Sequence, residues 1–148
     1  MSTPATPASP TTERRWREDL DLAHAIADQV DPVTRAHFER QDFEVQTKPD
    51  LTPVTDADRR AERMIRESLS RARARDCVLG EEFGQTGRSP RQWVIDPIDG
   101  TKNFVRGVPV WATLIGLVED GEVVVGLVSA PALGRRWWAT AGGGAWTG

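Results

Sequence analysis

The chain has 148 residues, 39% hydrophobic and 28% charged, with a formal net charge of −3. That length supports one domain with a real core, the composition excludes wholesale disorder, and a pI near 5.4 argues against nucleic-acid partners, which call for a basic surplus. One cysteine, Cys77, excludes an internal disulfide, and neither a signal-peptide h-region nor the ~20 apolar residues of a membrane helix is present, so a cytoplasmic protein without membrane partners is expected.

After Met1, residues 2–12 are Ser, Thr, Ala and Pro, and residues 1–12 read as a disordered tail ahead of a domain spanning 13–148. Leu20, Ala23, Ala27, Val30 and Val33 then recur at steps of three and four, predicting an amphipathic helix that Asp31-Pro32 should kink or restart. Phe43, Val45 and Thr47 alternate as a short half-exposed strand, and residues 48–54, with Pro49 and Pro53, read as a loop. Thr55 is a good N-cap for a second helix, with Asp56 and Asp58 in its first turn and Ala57, Ala61, Met64/Ile65, Leu69 and Ala72 as its buried stripe.

The remainder is strand-like. Val78-Leu79 and residues 93–95 are short apolar runs ending in acidic residues, and residues 110–118 and 123–129 flank Asp120-Gly121, a strong hairpin signal. Residues 136–140 continue the meander. The triple glycine at 142–144 followed by Trp146 looks like the middle of a further hairpin, so the sequence reads as cut. The expected class is α+β: two helices followed by a mainly antiparallel sheet. Trp93, Trp111, Trp137 and Trp138 are expected in the core or an interface, and His24 and His37 have no metal-ligand company.

Chemistry concentrates where elements end: Asp56 and Asp58, Glu81-Glu82 after Gly80, and Asp96 with Asp99 in Asp96-Pro97-Ile98-Asp99-Gly100-Thr101. Alone, D-x-x-D-G is an ordinary solvated turn. Three such clusters, each at an element end, instead suit hard divalent cations, which take carboxylates and a backbone carbonyl such as that of Ile98. Gly100-Thr101 opens a short helix whose free N–H groups suit a phosphate.

These residues resemble the inositol monophosphatase family of Mg²⁺-dependent, Li⁺-sensitive phosphomonoesterases. The resemblance rests on residues 48–58 (KPDLTPVTDAD), 79–82 (LGEE), 93–104 (WVIDPIDGTKNF) and the strand at 109–116. It implies that Glu81, Asp96 and the Ile98 carbonyl bind one Mg²⁺ and Asp96 with Asp99 a second. Glu81 and Thr101 would activate a metal-held water, with Thr101 hydrogen-bonded to Asp56, and the Gly100 and Thr101 N–H groups would hold phosphate.

Residues 99–112 and 129–138 look most like the actinobacterial-type histidinol-phosphatase branch, which implies hydrolysis of L-histidinol phosphate to L-histidinol in histidine biosynthesis. Inositol 1-phosphate is the alternative substrate, and a truncated non-catalytic remnant that only binds metal or a partner is the alternative of another class. The resembled fold is a layered α/β/α/β/α sandwich. Residues 13–148 would be an incomplete N-terminal part of it, because a later Trp-Asp-x-Ala-type block with a further metal ligand does not occur. The family's partners are small phosphorylated substrates, and oligomerisation, as in a homodimer, is common in it.

Overall fold

The computed structural model describes residues 6–148. The first helix, α1 (Pro10–Arg40), starts earlier than the composition suggests: the Ser9 hydroxyl accepts from the Thr12 N–H, and Pro10 occupies the first turn, where a missing N–H costs nothing. The expected tail therefore gives up residues 10–12 to the helix, while residues 1–5 lie outside the described residues. Pro32 also fails to end α1. Trp16, Asp19, Ala23, Ile26, Ala27, Val30 and Thr34 form one buried stripe on both sides of it, and that packing offsets the ~3 kcal/mol an interior proline costs.

Strands β1 (Val45–Thr47) and β2 (Pro53–Thr55) pair antiparallel as a two-stranded ribbon. The segment read as a loop thus contains a strand, and β1 is exposed throughout rather than half-exposed. Helix α2 (Asp56–Ala72) buries Ala57, Asp58, Ala61, Glu62, Ile65 and Leu69, with Ala72 left exposed at its end.

The main sheet contains β3 (Cys77–Gly80), β4 (Gly84–Thr86), β5 (Arg91–Asp99), β6 (Ala112–Glu119), β7 (Glu122–Ala130), β8 (Arg135–Thr140) and β9 (Gly144–Thr147), with the five-residue helix α3 (Thr101–Val105) between β5 and β6. The spatial order is β4-β3-β5-β6-β7-β8-β9, and only β3 and β5 run parallel. The Asp120-Gly121 turn has positive φ at both residues, 51° and 82°, as a tight hairpin requires.

Helices α1 and α2 cover one sheet face, burying Trp93, Ile95, Ile115, Leu117 and Leu127 beneath Ile26, Val30, Ile65 and Leu69. The opposite face carries an apolar trough of about 550 Å³ that includes Val94, Leu114, Val128 and Trp137. Trp93 and Trp111 are core residues as expected and Trp138 packs partly buried against that core, whereas Trp137 is 39% exposed. A second cluster, Ala57, Ile98, Phe104 and Trp111 with Phe38 and Phe43 against it, seats α3. Among the described residues no helix is long and apolar enough to cross a membrane.

Candidate active site

The parallel pairing of β3 with β5 sets Gly80 opposite Ile95, and the Glu81 N–H donates to the Ile95 carbonyl at 3.2 Å. Glu81-Glu82 and Asp96 therefore emerge side by side at the carboxyl ends of adjacent parallel strands, the usual place for a ligand crevice in such sheets. Beyond Asp96 the β5–β6 register shifts before Asp99 pairs with Ala112, and a bulge of this kind re-aims side chains. The Thr113 hydroxyl fixes it by donating to the Pro97 carbonyl at 2.8 Å. Gly100 follows at φ 89°, where an added Cβ would also stand 3.1 Å from the Val110 carbonyl oxygen, so only glycine fits.

One role moves by two residues. Thr55 and Asp58 form a reciprocal capping box: the Asp58 N–H donates to Thr55 Oγ1, and Asp58 Oδ2 accepts from the Thr55 N–H at 2.9 Å. This turns Asp58 inward, where its Oδ1 lies 3.0 Å from the Thr101 hydroxyl. Asp56 is exposed, and its carboxylate accepts only a long contact from the Glu44 N–H at 3.4 Å. The expected Thr101–Asp56 hydrogen bond is therefore a Thr101–Asp58 one. The Thr101 hydroxyl is also 3.0 Å from the Ile98 carbonyl. It has one proton to give, and the buried carboxylate is the stronger acceptor.

Glu81, Asp96, Ile98, Asp99, Gly100 and Thr101 all line one cleft of about 250 Å³, together with Lys48 and Glu82. Its electrostatics are those of crowded anions. Burial first, then the charges of Asp99, Glu81, Asp58 and Glu82, push Asp96 up to about 7. Burial also raises Asp58 and Glu82 against the hydrogen bonds each accepts. Lys48 Nζ is 3.0 Å from Glu82 and 3.9 Å from Glu81; burial pulls its pKa down, but the Glu82 hydrogen bond and the surrounding carboxylates raise it on balance.

The donors suit a hard divalent cation. They are all oxygen, and Asp96 Oδ1 is buried without any hydrogen-bond partner. Among the described residues, no three acidic, cysteine or histidine groups already converge at ligand distance; the Glu81 carboxylate is 60% exposed beside Lys48.

A raised Asp96 means that the folded chain holds a proton which the unfolded chain has released between its ordinary value of 3.8 and about 7. Its contribution to stability therefore falls as pH rises through that window. His24, lowered by burial, works in the opposite direction near its ordinary value. The expected result is that, in chelator, the melting temperature of the wild type falls relative to Asp96→Asn between pH 5 and pH 7.5. Thermal melts of both proteins check this; a difference flat across the window would sink the crowded-anion account.

Sequence reasoning missed three residues: Lys48 as the cation paired with Glu82 and Glu81, Asp58 as the partner of Thr101, and Glu62 behind the Glu81-Glu82 turn. The T-x-x-D spacing of Thr55 and Asp58 was the available signal for the second. The first lies inside the resembling block 48–58 without a feature that marks it.

Residues 15–148 match the inositol monophosphatase family. Histidinol-phosphatase of Streptomyces coelicolor is 64% identical over 137 residues, covering 90% of this chain and 52% of that protein. Histidinol-phosphatase of Mycobacterium tuberculosis is 63% identical over 129 residues, covering 86% and 50% respectively. Among solved structures, the Thermotoga maritima IMPase superposes with a TM-score of 0.82 at 37% identity, over 88% of this chain and 51% of that one. The chain thus spans about half the length of the relatives it matches. Since the match takes in the acidic cleft and every element around it, the chain belongs to the inositol monophosphatase family.

Proposed function

We propose that the acidic cleft hydrolyses a small phosphate monoester with Mg²⁺, and that L-histidinol phosphate is the substrate. The observation that carries this is the orphaned Asp96 oxygen in a cleft where burial and the neighbouring carboxylates raise the pKa of Asp96, an arrangement that a divalent cation relieves. The names of the two relatives above 60% identity support histidinol phosphate over inositol 1-phosphate.

In this reading Glu81, Asp96, Asp99 and the Ile98 carbonyl would hold two Mg²⁺ ions, which would supply Lewis acidity toward phosphoryl oxygens and a lowered pKa for water. The Gly100 and Thr101 N–H groups orient the phosphate. Asp58 takes the Thr101 proton in a hydrogen bond, leaving that oxygen's lone pairs to accept from water and fix its direction. Asp58 itself is held by Thr55, so the chain Thr55–Asp58–Thr101 is set before substrate arrives. Li⁺ is expected to inhibit the Mg²⁺-dependent reaction, and the expected compartment is the cytoplasm. A second reading, a non-catalytic metal-binding chain, draws on the match to only half of each relative.

Phosphate release separates the two. The expected result is Mg²⁺-dependent release from L-histidinol phosphate, faster than from inositol 1-phosphate, lost in Asp96→Asn and slowed by Li⁺. A folded chain that binds Mg²⁺ yet releases no phosphate would decide for the non-catalytic reading.

A further inference from the structure

Behind the cleft, Glu62 is fully buried in α2, four residues after Asp58 and so on the same helix face. Its Oε1 accepts the Glu82 N–H and its Oε2 the Phe83 N–H, both at 2.7 Å. Arg66, one turn further, donates to Oε2 at 3.0 Å. The carboxylate lies flat against β3: a Cβ at Gly80 would stand 2.6 Å from it. Only a carboxylate offers two acceptors to two parallel N–H groups; glutamine turns an NH₂ toward one of them.

Two carboxylates one helical turn apart thus fasten the two segments that meet in the cleft. Asp58 holds the Asp99-Gly100-Thr101 side through the Thr101 hydroxyl, and Glu62 holds the Glu81-Glu82 side through the backbone. A buried charge is a costly way to close a turn when apolar packing serves equally well; it is a good way to fix where the adjacent carboxylates project.

We propose that Glu62 is a positioning residue for metal binding, setting Glu81 and Glu82 relative to Asp96 by pinning the backbone at 82–83. Gly80 is its necessary counterpart. The inference rests on the proposed reading of the cleft as a Mg²⁺ site.

The test is calorimetric Mg²⁺ titration of the full chain, with amide exchange at Glu82 and Phe83 followed by NMR. Glu62→Gln is expected to weaken Mg²⁺ binding about tenfold, the lower range for residues that orient metal ligands, and to speed exchange at both amides. Gly80→Ala should weaken binding similarly, and the double variant should lose little more than either single one, because both break one contact. Leu69→Ala, a core truncation on the same helix, should lower the melting temperature while leaving Mg²⁺ affinity within twofold.

Should Glu62→Gln not fold, Gly80→Ala carries the test. Wild-type affinity in the folded variants, or an equal loss in Leu69→Ala, overturns the positioning role while leaving the Mg²⁺ reading intact. A wild type that binds no Mg²⁺ overturns both.

Discussion

Asp96→Asn is expected to abolish the Mg²⁺ response and, in the same protein, to raise the melting temperature measured in chelator at pH 7.5. The two effects have one cause. Asp96 is partly buried, faces Asp99, Glu81, Asp58 and Glu82, and has one oxygen with no partner. Without a cation, ionising it adds repulsion and leaves a desolvated acceptor, together worth ~1 kcal/mol at the low end of such penalties. At this chain length that is about 3 °C. With Mg²⁺ at about 100 times its dissociation constant, the wild type gains ~2.7 kcal/mol and the variant gains nothing. Differential scanning calorimetry with and without Mg²⁺ checks both signs together. A variant less stable than wild type in chelator contradicts the account even if Mg²⁺ binding is lost.

Arg91→Met has the largest expected effect on the fold itself. Arg91 opens β5, and its guanidinium reaches Asp19 on α1 at 2.9 Å, Asp76 before β3 at 3.1 Å and Glu119 on β6 at 3.0 Å. These partners hold it charged far above the neutral range, although burial opposes that. Each carboxylate has a second donor: Arg73 on Asp19, the Trp93 indole N–H on Asp76, and Arg15 with the Trp16 indole N–H on Glu119. Removing Arg91 leaves the fully buried Asp19 with half its compensation, and its Oδ2 is already unpartnered. Breaking a buried ion network in this way costs roughly 3–5 kcal/mol, and the urea midpoint should fall accordingly at unchanged slope. Arg91→Lys should recover only a minor part, because one ammonium cannot span three carboxylates. A loss below 1 kcal/mol, measured by urea unfolding, would show that the network is solvated and dispensable.

Much of this architecture was legible because each local signal agreed with its neighbours. The Asp120-Gly121 hairpin, the Thr55 cap and the clustering of Glu81, Asp96, Asp99 and Thr101 follow from turn chemistry and element ends. The readings that failed were those that tertiary contacts decide. Asp31-Pro32 offers a kink or a restart, and the helix does not restart there: Asp31 accepts from Ser129 at 2.7 Å and Arg136 at 2.8 Å, across to β7 and β8, which ties α1 to the sheet just before the proline, and the buried Thr34 continues the packed stripe after it. Asp56 and Asp58 differ by two positions and no composition rule separates them; the reciprocal cap does, since it points the residue at N3 inward. Glu62 falls on the face of Asp58, Ile65 and Leu69, and a charged residue on an apolar stripe was the signal that went unused.

The site has walls of unequal burial. Strand β5 is flanked on both sides, by β3 and β6, fastened at its start by Arg91, and delivers Asp96 and Asp99 at its end. The facing wall is the β1–β2 ribbon, in which β1 is wholly exposed while Val54 and Thr55 of β2 are buried. Lys48, which lies against Glu82 and Glu81, sits just past the exposed β1. The cleft therefore carries its counter-charge on the exposed side: Lys48 already offsets Glu81 and Glu82, and a cation taking those carboxylates would compete with its ammonium group.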